Sequence, residues 1–322
     1  MHNDLTDIAG LSVGQAHDGA VRTGVTLVLF DTPAIAAIDV RGGGPGTRES
    51  DVLRPGGLVD SVDAIVLSGG SVYGLGAADA VCAALGAEGR GYALMKQPGV
   101  PASPIVPAAI LYDLANGGAK DWGGTPPYPG LGRAALKDAR SRKPVALGRA
   151  GAGYGAMAGS LPGGTGSASA MTADGITVAA LACVNSFGSV RVPGSSAYWA
   201  APFERDGEFG GHRLPDYPLE ELEDWGAAKL NPAARENTTL AIVVTNAALT
   251  PDQARRVAVM AQDGMARAIR PVHTPFDGDV VFAASTGERP LPAPSAFSTA
   301  RIGALAADCL ARAIARGVHA AS

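Results

Sequence analysis

The stretch "ENTTLAIVVTN" (236–246) decides how this chain folds. A polar run ends at Asn237, and an unbroken apolar run, Leu240 to Val244, follows two threonines. A strand with one face in water alternates apolar and polar residues. This one does not, so both of its faces must be covered. Next comes "LTPDQARRVAVMAQDGMARAI" (249–269), which carries the marks of a helix start. Thr250 is the N-cap, Pro251 takes the first helical position and Gln253 completes a capping box. Val257, Met260, Gly264 and Ala268 define its inner face. "DGDVVFAAS" (277–285) predicts a further strand. "FSTARIGALAADCLARAI" (297–314) predicts a closing helix with Ile302, Leu305 and Cys309 inward.

Upstream the pattern repeats. "GVTLVLF" (24–30) and "AIAAIDV" (34–40), joined by "DTP", read as a β-hairpin. "DAIVLSGGS" (63–71) is a strand running into a glycine turn. Leu75, Ala78, Cys82 and Leu85 then mark an amphipathic helix. "ITVAALACVN" (176–185) is another strand apolar on both faces. Residues 186–237 are polar and rich in Pro and Gly. They predict a long surface excursion, with a short helix and an acidic patch, "LEELED" (219–224), forming a solvated face. Strands covered on both sides, interleaved with helices, fit an α/β sandwich: two stacked sheets with helices outside.

Composition narrows the function. A net charge of −4 and a pI near 5.7 leave no basic footprint for nucleic acid. With 47% hydrophobic and 17% charged residues, the chain is globular rather than disordered. No apolar run approaches the roughly 20 residues a membrane helix needs, and the start lacks a signal-peptide pattern. Cys82, Cys183 and Cys309 lie far apart in apolar stretches, which reads as reduced core thiols of a cytoplasmic protein. The 44 glycines fall largely in clusters and imply tight turns and close backbone approaches.

Most candidate sites fail on context. In "GRAGAGYGA" (148–156), Gly151, Gly153 and Ala156 satisfy a dinucleotide fingerprint, but the preceding strand is short and no acid ends a second strand. A flexible loop lining something is the better reading. The five histidines are dispersed without metal-ligand spacing, so no metal is expected, and His273 reads as structural. Ser68 and Ser71 lack a GxSxG setting and read as turn and cap residues.

Asn237-Thr238-Thr239 and Asp277-Gly278-Asp279 remain. A threonine hydroxyl needs a base. If the threonine becomes the first residue of a chain, its own α-amine serves, with a reference pKa near 7.7–8.0. That requires a cut before the threonine, an exposed segment ahead of it and a rigid strand behind it. Residues 186–237 and "TLAIVV" supply that pattern. Asp277 and Asp279 could hold the ammonium or hydroxyl, or relay protons. By pattern alone, a strand entry and a turn remain the simpler reading.

The segments "NTTLAIVVTNAALTPDQ", "PVHTPFDGDVVFAAST", "LSGGSVYGLGAADAV", "GRAGAGYGAMAG" and "ACVNSFG" go further. In colinear order, over nearly the whole chain, they resemble the DmpA-type aminopeptidase family. That family includes β-peptidyl aminopeptidases and the aminohexanoate-oligomer (nylon oligomer) hydrolase. The resemblance implies a four-layer αββα sandwich of the N-terminal-nucleophile type, shared with ornithine acetyltransferases. It implies one domain over 1–322 that cuts itself between Asn237 and Thr238 into 1–237 and 238–322, and assembles as a homo-oligomer of these pairs. Thr238 would be the nucleophile of an amide hydrolase that needs no cofactor. Asn185 would donate to the oxyanion, Tyr112 would contact substrate, and Asp277 and Asp279 would match the oligomer-hydrolase branch. The aminopeptidase branch has Ser-x-Glu there and a serine nucleophile. Ser160 departs from the pattern, standing where the oligomer-hydrolase branch carries a lysine. Acyl transfer to an amine, or an uncleaved binding relative without activity, stays open as an alternative.

Overall fold

The computed structural model describes residues 1–95, 97–216, 228–229 and 237–322. In chain order the strands begin with β1 (Leu11–Asp18), β2 (Thr23–Val40), β3 (Thr47–Arg48) and β4 (Ser61–Ser68). Helix α1 (Gly76–Ala87), β5 (Ala108–Ile110) and α2 (Tyr128–Ala139) follow. Then come β6 (Met157–Ala158), β7 (Leu161–Pro162), β8 (Gly164–Met171) and β9 (Thr177–Asn185). The chain closes with β10 (Thr238–Ala247), α3 (Pro251–Ala268), β11 (Val280–Arg289) and α4 (Ser295–His319).

Hydrogen bonding runs β3-β5-β4-β2-β11-β10-β9-β8, with β1 on the free side of β2. β2 belongs to two layers. Its first half pairs with β1 and β4, β4 pairs again at Ala34 and Ile35, and the second half pairs with β11 from Ile35 to Val40. The expected hairpin is therefore not formed. The two apolar runs are one 18-residue strand, and Asp31, Thr32 and Pro33 stay exposed between its halves. The pairing with β4 breaks between Leu29 and Ala34. Pro33 has no N–H to give a ladder, so it is tolerated at such an irregularity, and the strand runs on through it.

Three cores show the layering. Val25, Leu27 and Val66 pack with Ala78 and Val81 of α1 and Leu136 of α2. Val28, Phe30 and Leu67 meet Leu181, Leu240, Ile242 and Phe282 in the middle. Ala241, Val243 and Val281 pack outward with Val257 and Met265 of α3 and Leu310 and Ile314 of α4. Alternate residues of β10 thus enter two different cores, as a two-faced apolar strand requires. The order is helices, sheet, sheet, helices. Small residues let the outer layers close up: a methyl group on Gly166 of β8 would collide with the Ala313 carbonyl of α4.

The C-terminal elements lie close to their expected bounds. α3 carries the Thr250–Gln253 capping box. Val257, Gly264 and Ala268 are buried on it, while Met260 is only partly covered. In α4, Ile302 and Cys309 are buried and Leu305 partly so. The surface excursion needs correction. Phe187, Val190, Tyr198 and Phe209 are fully or nearly fully buried, so residues 186–209 close one end of the α3/α4 core. Polar and glycine residues there make tight turns between buried aromatics. A 3₁₀ turn at Ala201–Phe203 is the helical piece in this stretch among the described residues. The acidic patch 219–224 lies outside them. The glycine-rich stretch, expected as a loose lining loop, is packed inside instead. Gly151–Gly153 form a buried turn whose Ala152 N–H donates to Thr26 Oγ1 at 3.0 Å.

Candidate functional site

β10 starts where its neighbour β9 ends. Thr238 faces Asn185 across the antiparallel ladder, so the two sequence-singled residues meet at one edge of the middle layer. Both are buried, at 3% and 0% exposure. The Thr238 hydroxyl closes onto the carbonyl oxygen of Asn237. The same carbonyl accepts a hydrogen bond from Gly278 N–H at 2.9 Å.

The Asp-Gly-Asp turn leads into β11, which is parallel to β10 and so begins at the same end. Asp279 accepts from Thr239 N–H at 2.8 Å and from His273 N–H at 3.1 Å. His273 Nδ1 faces the same carboxylate at 2.9 Å. Asp277 accepts from Phe187 N–H at 3.1 Å and from the Thr274 amide and hydroxyl at 3.1 and 2.7 Å. Burial, and then the neighbouring Asp279 carboxylate, push the Asp277 carboxyl up to about 6. Among the described residues neither acid has an ion pair with lysine or arginine.

Glycine makes this approach possible. A methyl group on Gly278 would fall inside contact distance of the Thr238 hydroxyl and 2.7 Å from the Gly44 carbonyl. The "RGGG" cluster (41–44) is the other half of the fit: Gly44 N–H donates to the Asp277 carbonyl at 2.7 Å, and Arg41 N–H to that of Asp279 at 3.1 Å.

On the β9 side, Asn185 Nδ2 donates to the Tyr112 carbonyl at 2.9 Å. Its Oδ1 accepts from Met157 N–H at 3.0 Å and Asn116 Nδ2 at 3.1 Å. Tyr112 therefore meets the cluster through its backbone, with its side chain partly exposed. Asp113, next in the chain, is fully buried and accepts from Thr23 Oγ1 at 2.6 Å and Gly70 N–H at 2.8 Å. Burial raises its carboxyl above the ordinary value. It fixes the segment that presents the Tyr112 carbonyl.

The arrangement brings Thr238, Asn237, Asn185, Asp277 and Asp279 together. It adds Asn116, which sequence reasoning passed over, together with Gly278, read only as the residue of an acid-flanked turn, and His273, read as structural. Gly278 had a visible signal, as the residue between two acids. Asn116 stood in an ordinary turn sequence, "ANGG", and His273 carried no spacing signal. Chemically, the cluster holds a hydroxyl against a carbonyl that is already polarised by a donor, in a buried setting beside two carboxylates.

The family model of peptidase family S58 matches residues 3–322. The chain belongs to peptidase family S58. This S58 chain is 41% identical over 333 aligned positions to an uncharacterized aminopeptidase of Mycobacterium tuberculosis (strain H37Rv), covering 98% of this chain and 93% of the relative. It is 31% identical over 303 positions to the 6-aminohexanoate-oligomer endohydrolase of Kocuria sp. (strain KY2), covering 92% and 78%. Among solved structures, the L-aminopeptidase D-Ala-esterase/amidase of Ochrobactrum anthropi, described as a variant of the Ntn hydrolase fold, superposes with a TM-score of 0.72. That match has 21% identity and covers 100% of this chain and 87% of the other. A Burkholderia sp. β-aminopeptidase gives a TM-score of 0.67 at 23% identity, covering 98% and 86%. The S58 chain thus has the αββα Ntn-hydrolase fold and is a peptide or amide hydrolase. Among its described residues no helix is long and apolar enough to cross a membrane.

Proposed function

We propose that this chain is a self-processing N-terminal-nucleophile hydrolase, cut between Asn237 and Thr238, with Thr238 as its nucleophile. One observation carries this reading: the buried Thr238 hydroxyl lies against the Asn237 carbonyl while Gly278 N–H donates to that same oxygen. In self-cleavage Oγ1 attacks the carbonyl carbon, and the hydroxyl proton passes to the Thr238 nitrogen. The C–N bond breaks, leaving Asn237 esterified to Oγ1 and a free α-amine. Water then adds to the ester, releasing the Asn237 carboxylate and the Thr238 hydroxyl.

In turnover the α-amine takes the hydroxyl proton and returns it to the leaving amine. The Gly278 N–H and the Asn185 amide supply oxyanion donors. Removing one such donor typically costs ~10²–10³ in rate. Asp279, through Thr239 N–H, fixes the strand start. Asp277 holds Phe187 and Thr274, and so the turn that carries Gly278. Tyr112 orients Asn185 through its carbonyl and lines the approach for substrate. Short peptides, amino-acid amides and ω-amino-acid oligomers fit this chemistry. The working form is a homo-oligomer of 1–237 and 238–322 pairs of the single domain, in a cytoplasm suited to its three free thiols.

Hydrolysis of a panel of aminoacyl p-nitroanilides and 6-aminohexanoate oligomers tests the reading. The wild-type protein releases product from at least one of them, and Thr238→Ala from none. Equal turnover by both proteins would overturn the assignment.

A further inference from the structure

Asn185 is held by more than its strand. Besides Met157 N–H and Asn116 Nδ2, its Oδ1 receives Lys229 Nζ at 3.4 Å. With donors gathered on the oxygen, Nδ2 is turned to the other side, where it meets the Tyr112 carbonyl. Lys229 is itself anchored. Its N–H donates to the Phe187 carbonyl at 3.1 Å, and Ala228 before it is buried. Phe187 in turn donates its N–H to Asp277. Lys229 is thus tied through Phe187 to the acid pair, and through its ammonium to the residue that faces Thr238.

We propose that Lys229 is a positioning residue for amide cleavage, acting through Asn185. This rests on the reading of Thr238 as nucleophile. Among the described residues, Met157 N–H and Asn116 Nδ2 are neutral donors to Asn185 Oδ1, and Lys229 Nζ is a charged one. A cation at an amide oxygen draws electron density from the nitrogen and makes its N–H a stronger donor; charge-assisted hydrogen bonds are roughly twice as strong as neutral ones. In a buried network the gain passes along the chain of bonds. Lys229 therefore both orients the Asn185 amide and strengthens it as a donor to the oxyanion formed at Thr238. Ser160, exposed in the turn between β6 and β7, brings no charge to this end of the site. Lys229 belongs to the segment just upstream of the cut, so after processing one chain carries the charge and the other the nucleophile.

The chain's own scissile bond is the assay, because it requires no assumption about an external substrate. Freshly synthesised full-length chain is followed by intact mass as it is cut. Lys229→Met is expected to cut about tenfold more slowly, less than the ~10²–10³ that losing an oxyanion donor outright costs, because the effect is indirect. Lys229→Arg keeps close to the wild-type rate, and added ethylammonium restores Lys229→Ala. Lys143→Met, at a site whose side chain is 70% exposed, cuts as wild type and gains nothing from ethylammonium. Wild-type rates in Lys229→Met would overturn the proposal. So would a slow variant restored by neither the guanidinium nor the added amine, which would make the stem's packing the relevant feature. A wild type that is never cut would remove the Thr238 reading itself, whereas a cut wild type with an indifferent Lys229→Met removes this inference alone.

Discussion

Glu208 is a largely covered carboxylate and Asp277 a buried one, and their surroundings differ in one respect. Glu208 is clasped by Arg312, with Nε at 2.6 Å and Nη2 at 2.9 Å, and by Arg316 Nε at 3.3 Å. Arg312 also donates to the Ser169 carbonyl and to Asn3 Oδ1, both at 2.8 Å, so the cluster fastens the N-terminal segment to β8 and α4. Burial works to raise Glu208, yet the Arg312 hydrogen bond and charge carry it below the ordinary value. Asp277 has neutral donors and a second carboxylate for company, and it is pushed up to about 6. A carboxylate that only holds the fold together is neutralised. One left uncompensated beside a hydroxyl and a carbonyl marks a place where the local rules of stability yield to another demand.

Titration should separate the two. Glu208 is lowered, so its contribution to stability is present above 4.5 and lost as pH falls through the folded pKa. Asp277 is raised, so its contribution is complete below 3.8 and lost as pH rises through about 6.

The largest effect on stability is expected at the paired cluster. Arg312→Met leaves Glu208 covered without its main partner and should cost about 3–5 kcal/mol. Denaturant unfolding measures it, and cutting at low temperature should continue. A loss of cutting without loss of stability would reverse the division drawn between the two acids. At the site the weights invert. Gly278→Ala puts a methyl group against the Thr238 hydroxyl and the Gly44 carbonyl. Self-cleavage should slow by ~10²-fold or more, equivalent to about 3 kcal/mol of barrier, with the sheet intact by circular dichroism. Normal cutting would show that the hydroxyl does not need this approach.

Asp279→Asn sharpens the comparison further. Removing that charge removes the second cause of the raised Asp277 pKa, so the pH near 6 at which its contribution to stability is lost should move to lower pH. A move to higher pH would contradict the coupling. The smallest effect belongs to a pure scaffold position. Thr250→Ala removes the α3 cap and should cost about 1 kcal/mol by thermal melt, with cutting unchanged.

The sequence was legible where one residue type meant one thing. Two-faced apolar runs gave the middle strands, and Thr250, Pro251 and Gln253 gave the start of α3. It misled where a connection depended on partners far away. Pro33 read as a turn residue because nothing local shows that Thr23–Phe30 and Ala34–Val40 serve different layers. The polar excursion hid Phe187, Tyr198 and Phe209, since isolated aromatics among glycines carry no period. At the site, Thr238, Asn185, Asp277 and Asp279 were visible by resemblance. Asn116 and Lys229 were not, and His273 read only as structural, because their roles depend on which loops the β9–β10–β11 edge gathers.

Intact mass under denaturing conditions, with N-terminal sequencing of the smaller chain, tests the central claim most directly. The account predicts two masses for the wild-type protein, matching residues 1–237 and 238–322 with Thr238 first, and one full-length mass for Thr238→Ala. A wild-type chain that stays whole while it hydrolyses amides would contradict it.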